Sequence, residues 1–164
     1  MGTDSSVFAD LAGARQKLVE AKKKTLNVPG WGEKGTPSIS VTYRPADWSE
    51  IDKHSSSLSE ANKAGKKKRS EAALDANAQV LVSCATGITI TTDDGRQLTE
   101  GEDGEPLRFG SQELAVMLGV ADRRAIAVCR ALFVIDGDLM AHAAQLLQWS
   151  GLELRDLEDD YQGE

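Results

Sequence analysis

Residues 109–151 constrain the fold of this 164-residue chain more than any other stretch. Ser111 is a good helix N-cap, with Gln112 and Glu113 where the positive end of a helix favours acceptors and anions. Leu114, Met117 and Leu118 recur at helical spacing, and Gly119 supplies a C-terminal stop. Asp122 can cap a second helix over 125–135, whose single charge, Arg130, implies burial on most sides. Asp138 can open a third helix carrying Leu139, Met140, Ala143, Leu146, Leu147 and Trp149, closed by Gly151. The pattern predicts three short helices packed around Leu118, Ile126, Leu132, Phe133, Leu146 and Trp149.

Upstream, residues 6–24 predict a first helix. Val7, Leu11, Ala14, Leu18 and Ala21 fall at alternating four- and three-residue steps and form one narrow stripe. Lys17, Lys22, Lys23 and Lys24 suit the negative end of that helix. At a terminus such a helix either docks on its own domain or serves as a detachable arm, and the four residues Val7, Leu11, Ala14 and Leu18 are the candidate contact with a partner or a second copy. Pro29-Gly30 is set for a type II turn. Residues 37–44 alternate Ile39, Val41 and Tyr43 with Ser38, Ser40 and Thr42, a half-buried strand, and Asp47 with Glu50 reads as a capping box.

Residues 53–70 read first as an exposed basic linker or long loop, with a frayed helix as the alternative, serine-rich and then a KAGKKKR run. Helical spacing returns with Leu74, Ala78, Leu81 and Val82. Ile88, Ile90 and the threonines around them alternate as a strand, and Asp94-Gly95 signals a hairpin returning through Leu98. The expected fold is mainly α with a small β element (α+β): an amphipathic helix at 1–24, one globular domain over 25–151 and an acidic tail at 152–164.

Charge is divided along the chain. Residues 1–82 carry 13 basic and 10 acidic side chains, whereas residues 83–164 carry 6 and 16, so the net charge of −7 hides a basic front and an acidic back. Such a bipolar surface steers a partner or promotes self-association. No apolar run reaches the roughly 20 residues that span a bilayer, and the first residues lack the basic-then-apolar order of a secretory leader. Cys84 and Cys129 sit in apolar helical sequence as two reduced, packed thiols, consistent with a reducing compartment.

The chemistry of a catalyst is not assembled. His54 and His142 are the two histidines; the first adjoins the serine-rich stretch and the second lies among alanines and leucines on a helix. Neither cysteine has a cation beside it that argues for a thiolate. There is no CxxC, no paired histidine spacing and no phosphate-binding glycine loop. The acidic segments at 93–95 and 100–105 lack the ligand order of a calcium loop. No enzyme activity, cofactor or metal is expected.

Two binding functions remain. The block at 111–135 resembles a helix-turn-helix, with Ala115, the Leu118-Gly119-Val120 turn and Val128 in place, and Arg123, Arg124 and Arg130 available to phosphates or guanine edges. Against it, Ala125 stands where an aliphatic locks the two helices, and the acidic half of the chain repels phosphate.

The order of motifs along the chain points elsewhere. Val28-Pro29-Gly30-Trp31, Tyr43-Arg44-Pro45, Asp47-Trp48, the run at 75–82 leading into Gly87-Ile88, Pro106-Leu107-Arg108-Phe109, and Asp136-Gly137 through His142 to Trp149-Ser150 follow one another. Over residues 20–150 the chain resembles the tail assembly chaperones of long-tailed phages that infect actinobacteria. The resemblance implies a non-enzymatic protein of the host cytoplasm that binds the phage tape measure protein, keeps it soluble while the tail tube polymerises, and is absent from the mature virion. It implies neither membrane nor nucleic acid as a partner. A structural head–tail connector or adaptor is the alternative of the same helical type.

Overall fold

The computed structural model describes residues 2–33, 35–63 and 65–152. In chain order these form α1 (Gly2–Ala21), β1 (Lys24–Asn27), β2 (Ser38–Tyr43), α2 (Trp48–Asn62), α3 (Lys66–Cys84), β3 (Ala85–Thr91), β4 (Gln97–Leu98), α4 (Gln112–Leu118), α5 (Ala125–Leu132) and α6 (Asp136–Leu147), then a π-helical turn over Gln148–Leu152. Helices and a small antiparallel sheet make an α+β fold.

The sheet runs in the order β1-β2-β3-β4, every pair antiparallel. Alternation along β2 places Ile39, Val41 and Tyr43 on the buried face. Register then builds rows across the strands. Leu26 faces Val41, which faces Ile88, and the next row joins Ile39, Ile90 and Leu98. On the opposite face the Thr25 and Thr42 hydroxyls hydrogen-bond across strands at 2.8 Å. Pro29 and Gly30 make the turn after β1, with Gly30 at φ 90, a conformation that glycine adopts without strain.

Between β2 and β3 the chain leaves the sheet as the antiparallel hairpin α2–α3. Asp47 caps α2: its carboxylate accepts from the Glu50 N–H at 2.8 Å while the Glu50 carboxylate accepts from the Asp47 N–H at 3.0 Å. Where a basic linker was expected at 53–70, the structure has the rest of α2, to Asn62, and the start of α3, from Lys66. The serines fall on exposed or half-buried positions of α2, while Ile51 and Ala61 turn into the core. Helices α5 and α6 pack against α3, and α4 against α5, and the sheet, α3 and these helices share one core that includes Val41, Leu81, Ile88, Leu114, Val128 and Leu139.

Three short helices do occupy 110–151. Leu132, Phe133 and Leu146 are buried, with Leu118, Ile126 and Trp149 half-buried against them. Gly119 ends α4 in the left-handed region, φ 67, as its position implied. The boundaries of the next two helices differ from expectation. Arg124, not Asp122, is the N-cap of α5; Asp122 instead accepts from the Arg124 N–H at 3.1 Å and clasps its guanidinium. The second helix stops at Leu132 rather than 135, because Phe133 adopts extended backbone, and Ile135 becomes the N-cap of α6, which opens at Asp136 instead of Asp138. At the N-terminus α1 ends at Ala21, so Lys22 and Lys23 lie past its last turn and Lys24 begins β1. The acidic tail expected from 152 lies, beyond Leu152, outside the described residues.

Candidate partner-binding surface

The four candidate residues all lie on α1, and the structure leaves them in the open. Val7 is 55%, Leu11 63% and Leu18 66% exposed, and Ala14 is exposed between them. Every residue from 7 to 21 is exposed, so over these residues α1 lays no face on the domain that follows it. Sequence reasoning missed two more members of this surface, Phe8 at 72% and Val19 at 49%. Each follows a stripe residue by one position, so both widen the stripe on the same side. Large apolar side chains grouped on one solvent-exposed helix are unusual for a monomer. A separate exposed pair, Val134 and Ile135, sits in the α5–α6 connection that was expected to be buried helix. Val134 lies over the Gly30 turn, where an added Cβ would meet its Cγ2 at 3.0 Å.

The groups with reactive chemistry are built into the scaffold. His142 is buried on α6, where Nε2 and the Tyr43 hydroxyl share a hydrogen bond at 2.8 Å and the ring stands edge-on to Phe133, centroids 4.9 Å apart. Burial pushes the imidazole down to about 4 and the phenol well above its ordinary value, which keeps the proton on Tyr43 and the ring neutral. Cys84 is pushed up to about 12 by burial and the neighbouring Glu50 carboxylate, and burial also raises Cys129. Both are thiols, not thiolates, at neutral pH. His54 pairs with the Asn77 side-chain oxygen at 3.0 Å in a cleft of about 240 Å³ between α2 and α3.

A half-buried ionic joint lies beside that cleft. The Arg44 guanidinium donates to both Glu50 oxygens, at 2.7 and 3.0 Å, and to the Ser83 carbonyl at 2.9 Å, while the Ser83 hydroxyl also donates to Glu50. Arg44 holds the Glu50 carboxyl down to about 2. The joint fastens the exit of β2 to the start of α2 and the end of α3. Among the described residues no group of three or more His, Cys, Asp or Glu could hold a metal ion, and no helix is long and apolar enough to cross a membrane.

Two of the three helix-turn-helix arginines are also committed. Arg130 donates to Glu71 at 2.8 Å and Asp75 at 3.0 Å, tying α5 to α3, and Arg124 is clasped by Asp122 at 2.7 Å. Arg123 is exposed.

The motif residues that carry the family resemblance sit at joints of the fold. Val28 and Phe109 are core. Trp31 reaches the end of α5, Arg44 and Asp47 secure α2, and the Ser150 hydroxyl accepts from the Ala46 N–H at 2.8 Å and donates to the Leu146 carbonyl at 2.7 Å. Comparison with protein-family models, with curated proteins and with solved structures returns no match.

Proposed function

We propose that this protein is a non-enzymatic assembly chaperone of the phage tail type, which binds a long helical client, the tape measure protein, and keeps it soluble in the host cytoplasm until the tail tube encloses it. The observation that carries this reading is α1: a helix outside the core whose Val7, Phe8, Leu11, Leu18 and Val19 are all exposed. An amphipathic client helix is recognised by such apolar anchors at helical spacing, with no need for a reactive site. The resemblance supports the same reading from the other side, because its motifs lie at structural joints and leave α1 free to recruit.

Co-expression with the tape measure protein tests the proposal. Wild type should raise the soluble yield of the client, and Leu11→Asp with Leu18→Asp should abolish that gain while the domain keeps its far-ultraviolet circular dichroism. Failure of wild type to raise the yield defeats the reading. Full rescue by the double variant removes α1 as the contact.

A further inference from the structure

We infer that α1 pairs with α1 of a second copy of this chain, antiparallel and about a two-fold axis. The stripe Val7–Leu11–Ala14–Leu18–Ala21 alternates steps of four and three, the 3.5-residue period of a coiled-coil seam. Placed antiparallel, one register sets large against small and joins the ends: Leu11 lies beside Ala14 of the second copy, and Val7 beside Leu18 of the second copy. Symmetry repeats each contact.

The flanks select this register independently of the seam. On one side it brings Asp10 against Lys17 of the second copy, twice. On the other it brings Phe8 against Arg15 of the second copy, a cation over an aromatic face, also twice. Asp10, Arg15 and Lys17 are exposed and take no ion pair among the described residues, so their charges are available. A parallel pair is poorer. It sets Asp10 against Arg15 but Lys17 against Lys22, a like-charge contact that cancels the first. Phe8, off the seam and the most exposed large apolar side chain described, acquires a contact only in the antiparallel arrangement.

The pairing covers the face that the proposed function offers to a client, so a second copy and the client compete for α1; the pairing is measured without a client, so its failure and that of the chaperone reading are separable. Sedimentation equilibrium of the full chain, from about 1 to 500 µM, should give a reversible dimer in the micromolar range, weak because the seam covers few heptads. Asp10→Lys and Lys17→Asp should each raise the dissociation constant about tenfold, the scale of two exposed ion pairs turned into like-charge contacts. The double swap, D10K with K17D, should recover the wild-type constant to within about threefold. A monomer at every concentration overturns the inference, as does a double swap that fails to recover. Tightening by Lys17→Asp alone would demand the parallel arrangement and overturns the antiparallel one.

Discussion

The indole N–H of Trp31 donates to the main-chain carbonyl of Leu132 at 2.8 Å, across 101 residues of sequence. That carbonyl belongs to the last turn of α5, where no intrahelical N–H can reach it. One half-buried side chain from the β1–β2 connection thus closes a helix of the C-terminal block. Trp31→Phe keeps an aromatic ring but orphans the carbonyl, and should destabilise the domain by about 1–2 kcal/mol. Urea unfolding should show a lower midpoint with an unchanged slope. A midpoint equal to wild type would mean that water replaces the indole at no cost.

His142 makes stability depend on pH. Its folded pKa, about 4, lies below the unfolded value of 6.5 because burial disfavours the imidazolium. Above pH 6.5 both states are neutral and the histidine imposes no penalty. As pH falls from 6.5 to 4 the unfolded chain takes up the proton first, and stability drops progressively by about 3 kcal/mol. His142→Gln should flatten this window when thermal midpoints are followed from pH 7.5 to 4.5. An equally steep decline in the variant would assign it to other groups. Glu50, held at about 2 by Arg44, adds its own loss only below pH 4.5.

Burial separates two leucines that the sequence treats alike. Leu132 is fully enclosed, and Leu132→Ala should cost roughly 2–5 kcal/mol through lost transfer energy and the cavity left behind. Leu18, on α1, is 66% exposed, and Leu18→Asp should change the unfolding free energy of the domain by less than about 0.5 kcal/mol in dilute solution. Chemical denaturation of both variants decides the matter. A large loss for Leu18→Asp would mean that α1 is integral to the domain.

What was legible in the sequence was periodicity that packing rewards. Ile39, Val41 and Tyr43 alternate because one face of β2 is buried, and Asp47 with Glu50 forms the capping box they spell. The α2–α3 hairpin was hidden by composition: four serines and a lysine cluster look like a linker. Yet Ile51, His54, Leu58 and Ala61 keep helical steps of three and four and turn inward, partly or fully. Strand β1 was obscured because Lys24 continues the basic end of the helix, and a four-residue strand with one buried side chain has almost no pattern to read. The sequence pattern carries the second helix of the block too far, because Phe133-Val134-Ile135 is apolar throughout. Hydrophobicity alone cannot tell a helical turn from an extended connection whose last two residues face solvent. The stripe on α1 was readable, but its emptiness was not, since spacing says that a face exists and only the tertiary structure says whether the domain covers it.

Arg130 carries the last prediction. Its side chain is 28% exposed and donates to Glu71 and Asp75 of α3, while Val128, Cys129 and Leu132 of the same helix are buried. A recognition helix must instead offer its cations and one whole face to the major groove. The Asp122 carboxylate further neutralises Arg124 at the start of α5. Mobility-shift titration at low salt over a broad pool of duplexes should therefore give no sequence-selective complex. Any weak retention should vanish with added salt, as non-specific phosphate attraction does. Arg123→Ala with Arg124→Ala should weaken that retention uniformly across sequences, as loss of cations from a non-specific contact does. A saturable, sequence-selective shift that this double variant loses would install DNA as the partner and displace the chaperone reading.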